Sequence, residues 1–200
     1  MTTPLQLLQL DPAEARAILA REWGWLLAER APGRRFRPVA LTVFGDWFLE
    51  EKATRAVWFL DTGLGLLHGA MQSRDALQAG LRDARHRQAW CLERQLCQLQ
   101  ARGVGLAPGE CYSWIVAPCA GGRLDADNFA PLPFGLHQRI QSRLVQRLAR
   151  LPAGAPLSPR MISEIFEGLD GPAPARRGAL PFGRLAAGIA LMAALLGFVL

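Results

Sequence analysis

Apolar residues recur at helical spacing directly after a strong helix-start signal near the N-terminus. Asp11 precedes Pro12 and Glu14, so Asp can cap the first turn while proline occupies a position where its missing N–H costs nothing. The helical pattern ends at the Pro-Gly pair of residues 32–33. We therefore predict one amphipathic helix within residues 1–35, with an apolar face formed by Leu19, Trp23, Leu26 and Leu27.

The next part of the chain has the pattern of short strands rather than of helices. Its apolar runs are rich in β-branched and aromatic residues, and polar turns at residues 50–55 and 61–65 separate them. Runs joined by such short turns pair as neighbours, which predicts an antiparallel meander. The predicted strands are residues 39–44, 47–49, 57–60 and 66–69.

Helical periodicity returns after Ser73, a typical N-cap, and alternates with further strand-like runs. Strands and helices are mixed without a regular βαβ alternation, so we predict an α+β fold, an antiparallel sheet with packed helices. The predicted helices are residues 74–83, 87–102 and 136–150, the last with Ile140, Leu144, Val145 and Leu148 as its apolar face, and the predicted strands are residues 111–116 and 129–132.

The C-terminal stretch differs from every predicted core helix because it has no polar face. Residues 185–200 are sixteen residues without a polar side chain, and counting from Leu180 gives twenty-one. At ~1.5 Å per residue the longer segment covers about 31 Å, enough for a hydrocarbon core of ~30 Å. Three basic residues flank its N-terminal side, as expected for the cytoplasmic side of a membrane: Arg176, Arg177 and Arg184.

These patterns divide the chain into five parts. Residues 1–35 hold the N-terminal helix, and residues 36–156 hold the α+β domain. Residues 157–168 are a short helix, residues 169–179 a linker rich in Pro, Gly and Ala, and residues 180–200 a transmembrane tail anchor. We therefore expect a single-pass, tail-anchored protein of a bacterial inner membrane with its main domain in the cytoplasm. Small residues at every fourth position of the tail leave oligomerisation through it an open alternative.

Charge adds one candidate surface. The net charge is +6, but Lys52 is the only lysine, and a chain rich in Arg, Ala, Gly and Pro indicates a GC-rich bacterial genome more simply than it indicates nucleic acid. No nucleic-acid partner is expected. The best local candidate for a basic patch is Arg34, Arg35 and Arg37, although the pattern favours a solvated loop there.

The sequence shows no catalytic or metal-binding motif. The cysteines lack the paired spacing of a zinc site, and Walker, GxSxG, GxGxxG and HExxH patterns are missing. Asp46 and Asp61 could form a two-carboxylate site, yet both lie at strand–turn junctions, where Asp accepts turn N–H groups. We therefore expect no catalytic residue, no metal and no cofactor. A small membrane-bound hydrolase stays the least favoured alternative.

Two hairpin segments, residues 44–48 (FGDWF) and 57–65 (VWFLDTGLG), resemble the type VI secretion immunity-protein domain. The similarity continues through Ser73, Trp90 and the segments 103–106, 109–113 and 118–122, and covers roughly residues 36–156. Its motif positions have the character of turns and core: Gly45, Asp46, Asp61, Gly63, Tyr112, Gly121, Gly122 and Asn128.

The resemblance implies a mixed α/β immunity fold that binds a toxin stoichiometrically, without enzymatic activity or cofactor. The expected function is therefore that of a membrane-tethered immunity protein that binds and neutralises a secreted effector. Residues 1–150 are net basic, which disfavours a DNase, with its basic active site, as that effector. The alternative is a docking or regulatory subunit of a membrane assembly such as the secretion system, whose partner would be a secretion-machine subunit.

Overall fold

A computed structural model describes residues 7–152, and in that range the chain is an α+β fold built on an antiparallel sheet, as predicted. The four strands of the main sheet follow chain order, and each pairs antiparallel with the next. The predicted meander is confirmed. Its strands are β1 (Phe36–Leu41), β2 (Trp47–Glu51), β3 (Val57–Asp61) and β4 (Leu66–Met71).

The N-terminal helix covers one face of this sheet. Asp11 Oδ1 accepts the N–H groups of Ala13 at 2.8 Å and Glu14 at 3.0 Å, which confirms the predicted cap. The helix changes winding along its length: α1 (Pro12–Ile18), a π-helical segment (Leu19–Trp23) and α2 (Gly24–Arg30).

This helix shares one hydrophobic core with the sheet. The buried side chains of Trp23 and Leu26 belong to the same cluster as Trp47, Leu49 and Leu60 of the strands. The boundary predicted between residues 35 and 36 therefore does not separate two cores.

Three helices follow β4: α3 (Arg74–Gly80), α4 (Ala84–Cys91) and α5 (Glu93–Ala101). Side chains of α3 and α4, among them Leu77 and Trp90, pack with Phe48 and Phe59 from the opposite face of the sheet. Because both faces are covered, every residue of β2 is buried. A strand enclosed on both faces does not show the alternation of apolar and polar residues that marks a strand with one face in solvent.

The single helix predicted over residues 87–102 is broken at Leu92. This residue has φ 45° and ψ 48°, in the left-handed region that non-glycine residues rarely adopt. The break frees the N-terminus of α5, and Gln88 caps it: Gln88 Oε1 accepts the N–H of Arg94 at 2.9 Å. The side-chain cap replaces the helical hydrogen bonding lost at the break.

A second, two-stranded sheet and the last helix complete the described range. β5 (Glu110–Trp114) pairs antiparallel with β6 (Phe129–Pro133), and α6 (Phe134–Leu148) follows directly. The N–H of Tyr112 donates to the Val43 carbonyl at 2.8 Å, which joins the two sheets. No helix within residues 7–152 is long and apolar enough to cross a membrane. The predicted short helix (157–168), linker (169–179), tail anchor (180–200) and the flanking Arg176, Arg177 and Arg184 lie outside the described residues.

Candidate functional site

The turn between β1 and β2 places a carboxylate inside the protein. Gly45 has φ +90° and lets the chain reverse tightly. Thr42 Oγ1 accepts the N–H groups of Phe44 at 3.3 Å and Asp46 at 3.0 Å, so the turn is held by a side chain. Asp46, 7% exposed, then points inward, where its Oδ1 accepts both the N–H and the hydroxyl of Thr62 at 2.8 Å.

A chain of hydrogen bonds extends from Asp46 through Thr62 to α6 and β5. Thr62 Oγ1 lies 3.3 Å from His137 Nε2, and His137 Nδ1 lies 2.9 Å from Ser113 Oγ. Because the Thr62 hydroxyl donates to Asp46, it must accept the Nε2 proton, and Nδ1 then accepts the Ser113 hydroxyl proton. We call Ser113, His137, Thr62 and Asp46 the buried polar chain.

Burial also sets the protonation states in this chain. Burial lowers the pKa of His137 to about 3, so the imidazole is neutral near pH 7. Burial and, to a lesser extent, the charge of Asp61 raise the pKa of Asp46 well above the usual value, against hydrogen bonds from Thr62 and Thr42 that lower it. Both groups are thus biased toward their uncharged forms.

Gln138, the neighbour of His137 on α6, holds a second buried junction. Its Oε1 accepts the indole N–H groups of Trp23 at 2.6 Å and Trp47 at 2.8 Å, and its Nε2 donates to the Gly45 carbonyl at 2.6 Å. Since an indole nitrogen can only donate, these partners fix the orientation of the amide. One fully buried side chain thereby connects the N-terminal helix, the β1–β2 turn and α6.

The buried polar chain has the residue types of a nucleophile–base–acid set but not its geometry. Thr62 lies between His137 and Asp46, whereas a triad needs the carboxylate on the imidazole. An imidazole with a lowered pKa is also a poor base near neutral pH. With Ser113 and His137 at 2% and 0% exposure, no substrate can reach them in this conformation. The arrangement therefore links elements of the fold.

Asp46 and Asp61, the carboxylates for which turn roles were predicted in preference to a shared site, accept hydrogen bonds from different groups. Asp61 Oδ1 accepts the N–H of Leu64 at 2.8 Å, in the turn between β3 and β4. Burial raises its pKa, against turn hydrogen bonds from Leu64 and Gly63 and the charge of His68 that lower it. Asp61 thus has the turn role that its sequence position predicts, while Asp46 is enclosed.

The other positions singled out by the family resemblance form supports of the fold at separate places. A Cβ at Gly63 would meet Trp114 at 2.5 Å, and one at Gly122 would meet the Val116 carbonyl oxygen at 1.8 Å. Gly121 has φ +86° after a short 3-10 helix. The Tyr112 hydroxyl donates to Val104 O at 2.7 Å, and the Asn128 amide holds the residue 116–128 loop by bonds of 2.8 Å to Val116 and Arg123.

The surface carries a different ionic arrangement, at the sheet end where β2 stops. Glu50 is 0% exposed, and three arginines contact its carboxylate: Arg37 at 2.9 Å, Arg55 at 2.5 Å and Arg74. Burial raises the pKa of Glu50, but the hydrogen bonds and charges of Arg37 and Arg74 together outweigh burial. The pKa of Glu50 is therefore below its usual value. Glu50 is therefore an ionised anchor for exposed arginines.

The neighbouring Glu51 organises the other side of the same end. Arg34 Nη1 lies 2.7 Å from Glu51 Oε2, and the Arg34 guanidinium lies 5.0 Å over the ring of Trp58. Arg35 is exposed, and its carbonyl accepts the N–H of Lys52 at 2.8 Å. Arg34 and Arg35 are exposed and lie outside the strands, as a solvated loop would have them, whereas Arg37 lies in β1. Arg34 and Arg37 are in addition ion-paired to β2. We call the six cations Arg34, Arg35, Arg37, Lys52, Arg55 and Arg74 the arginine end.

Comparison with known proteins adds no functional assignment, so a proposed function rests on the geometry of the described residues and on the sequence. No protein-family model and no curated protein sequence matches the chain. Within residues 7–152, no group of three or more His, Cys, Asp or Glu side chains is placed to hold a metal ion.

Sequence reasoning missed the residues that complete both arrangements: Thr42, Thr62, Ser113, His137, Gln138, Glu50, Arg55 and Arg74. One signal was present in α6, where His137, Gln138, Gln141 and Ser142 follow helical spacing beside the apolar face. Polar residues beside an apolar face are normally the solvent-exposed side of a helix. That these four are buried follows only from the elements that pack against α6.

Replacing Asp46 with asparagine tests the raised pKa. The native carboxyl stabilises the fold at pH values below its unfolded pKa, and that stability is lost as pH rises toward its raised folded pKa. Asparagine keeps the acceptor for Thr62 and cannot ionise. We expect the difference in unfolding free energy, variant minus native, to rise between pH 4 and pH 8, by about 1 kcal/mol or more.

Urea denaturation at each pH measures this difference, and taking the difference removes the opposite pH dependence of His137. Asp75→Asn is the matched control, because Asp75 is exposed in the first turn of α3. Its difference should stay nearly constant. A difference for Asp46→Asn that falls with pH would show that the buried carboxylate is ionised and stabilising.

Proposed function

We propose that this chain is a non-enzymatic immunity protein that binds and neutralises a secreted bacterial effector toxin. The observation that carries the proposal is the enclosure of the buried polar chain. The members of the buried polar chain, which have the residue types of acid–base or nucleophilic chemistry, stabilise the interior, while arginines held by buried carboxylates reach the surface. Arginine is well suited to binding carboxylates at interfaces. The Glu50 carboxylate is 0% exposed and held by three arginines, so it does not reach a bound molecule as a general base.

Two sequence features support the effector as partner and the membrane as location. The segments 44–48 and 57–65 resemble the immunity domain. Residues 180–200 are apolar apart from Arg184, which lies near the start of the stretch. We propose that this stretch anchors the protein in the inner membrane with its main domain in the cytoplasm. A tether would raise the local concentration of the binder where a toxin enters or acts.

A neutralisation titration tests the proposal. A toxin whose gene adjoins the gene of this protein would be co-expressed with the full-length chain, and then mixed with it in purified form at increasing molar ratios. We expect growth rescue, co-purification and residual toxin activity that falls in proportion to added chain and reaches zero near equimolarity. Deleting residues 179–200 should reduce rescue in cells but leave binding of the purified proteins unchanged.

Other outcomes would contradict the proposal in distinguishable ways. Inactivation of many toxin molecules by one chain, with a covalent change in the toxin, would indicate an enzyme. Failure to protect against the neighbouring toxin, together with recovery of secretion-machine subunits alone, would favour a docking subunit.

A further inference from the structure

We propose that the arginine end is the surface that binds the partner, and that the partner presents an acidic protein surface to it. This inference rests on the proposed function and assigns its binding face. The register of the sheet brings Arg37 and Arg74 to Glu50. Arg37 lies opposite Glu50 in the β1–β2 pair, Glu50 opposite Val57 in the next, and Val57 opposite Met71, three residues before Arg74.

The charge at this end is strongly positive even after internal pairing. Arg34, Arg37, Arg55 and Arg74 pair with Glu50 or Glu51. Arg35 and Lys52 are joined to each other by a backbone hydrogen bond beside them, and Asp75 is the neighbouring carboxylate on α3. Three positive charges therefore remain in excess. Each guanidinium has five N–H donors, so an arginine that uses one or two of them on a glutamate keeps others for a ligand.

The buried carboxylates also hold the arginines in place before any partner binds. Arg37, Arg55 and Arg74 converge on a carboxylate with 0% exposure, although their own side chains are 37%, 60% and 45% exposed. Ordering a free arginine at an interface costs conformational entropy. Side chains ordered in advance avoid much of that cost, and arginine is among the residues that dominate binding energy at protein interfaces.

The arrangement favours an acidic protein surface over nucleic acid. A nucleic-acid groove needs cations spaced along a backbone and, for single strands, open aromatic faces. Here the arginines gather around two glutamates. Of the aromatic rings at this end, Trp58 has Arg34 over one face and packs edge to face with Phe36. Glu50 and Glu51 separate the guanidinium groups instead of leaving a continuous basic track, and individual carboxylates on a protein surface can pair with such separate groups.

A probe of defined chemistry tests the assignment. The full-length chain in neutral detergent would be titrated with a fluorescent poly-L-glutamate peptide and, in parallel, with a DNA duplex of similar charge. We expect tighter binding of the peptide. Replacing Arg35, Lys52 and Arg55 together by glutamine should weaken peptide binding at least tenfold, while Arg37 and Arg74 still neutralise Glu50.

The matched control is the triple variant Arg16→Gln, Arg85→Gln, Arg94→Gln, which removes the same charge from exposed positions on other helices. It should change peptide binding less than twofold, and thermal unfolding should show both variants folded. Tighter binding of DNA, equal losses in both variants, or no peptide binding at low salt would each overturn the inference. If the arginine-end variant still neutralises the toxin like the native chain, this face is wrong but the proposed function stands. If the native chain neutralises no toxin, the proposed function fails irrespective of the peptide result.

Discussion

Replacing Gln138 with leucine should destabilise the protein by about 3–5 kcal/mol, although leucine has a similar size. The substitution leaves the buried indole N–H groups of Trp23 and Trp47 and the carbonyl of Gly45 without their partner. A buried polar group left unsatisfied costs about 1–3 kcal/mol. Urea denaturation monitored by tryptophan fluorescence measures the change, because two of the affected groups are tryptophans.

Gln141→Leu is the control for this prediction. Gln141 lies on the same helix and is 1% exposed, but its Oε1 has no hydrogen-bond partner within residues 7–152. The same substitution there should cost less than about 1 kcal/mol and can stabilise, since it removes a buried acceptor that makes no bond. Equal losses at both positions would show that glutamine shape, not its hydrogen bonds, matters in α6.

Gly45→Ala should have a comparable effect for a different reason. A Cβ at Gly45 would lie 2.3 Å from His137 Nε2 and 2.5 Å from its Cδ2, and the backbone φ of +90° is unfavourable for alanine. His137 is fully buried and held by Ser113 and Thr62, so it cannot move aside without breaking the buried polar chain. Strain of the backbone and overpacking together predict a loss of about 3 kcal/mol or more.

Gly33→Ala separates the two contributions. Gly33 has a similar φ of +76°, but nothing lies within 4 Å of the Cβ that alanine would add. Its loss should therefore reflect backbone strain alone, about 1 kcal/mol. A difference of less than about 1 kcal/mol between the two variants, measured by thermal or urea unfolding, would mean that His137 yields to the new methyl group.

Local chemistry made much of the main sheet predictable. The strands of the meander are rich in aromatic and β-branched residues, and short polar turns leave antiparallel pairing as the simple solution. The first helix has its start signal in the positions directly after Leu10. The strand predicted at residues 39–44 is displaced to Phe36–Leu41, because Thr42 takes backbone N–H groups into a turn and ends the strand.

The break at Leu92 was not predictable because helical periodicity continues through it. Leu92, Leu96 and Leu99 have the spacing of one face, and no glycine or proline interrupts them. The break depends on Gln88, whose side chain caps α5, and on the packing of α4 against the sheet. A glutamine four positions before a leucine is ordinary in a helix, so its capping role follows only from the path of the chain.

The sequence alone determined the local structure: the capped N-terminal helix, the strand meander, the turn role of Asp61 and the α+β class. These features follow from interactions between residues close along the chain. The tertiary structure decided which polar groups are buried together. The Gln138–Trp23 pair is 115 residues apart and the His137–Thr62 pair 75 residues apart. The same applies to Glu50, an ordinary strand-end glutamate until both faces of the sheet are covered and Arg37, Arg55 and Arg74 converge on it. Burial and partners are properties of the assembled fold, because the free energy of a polar side chain depends on what replaces its water.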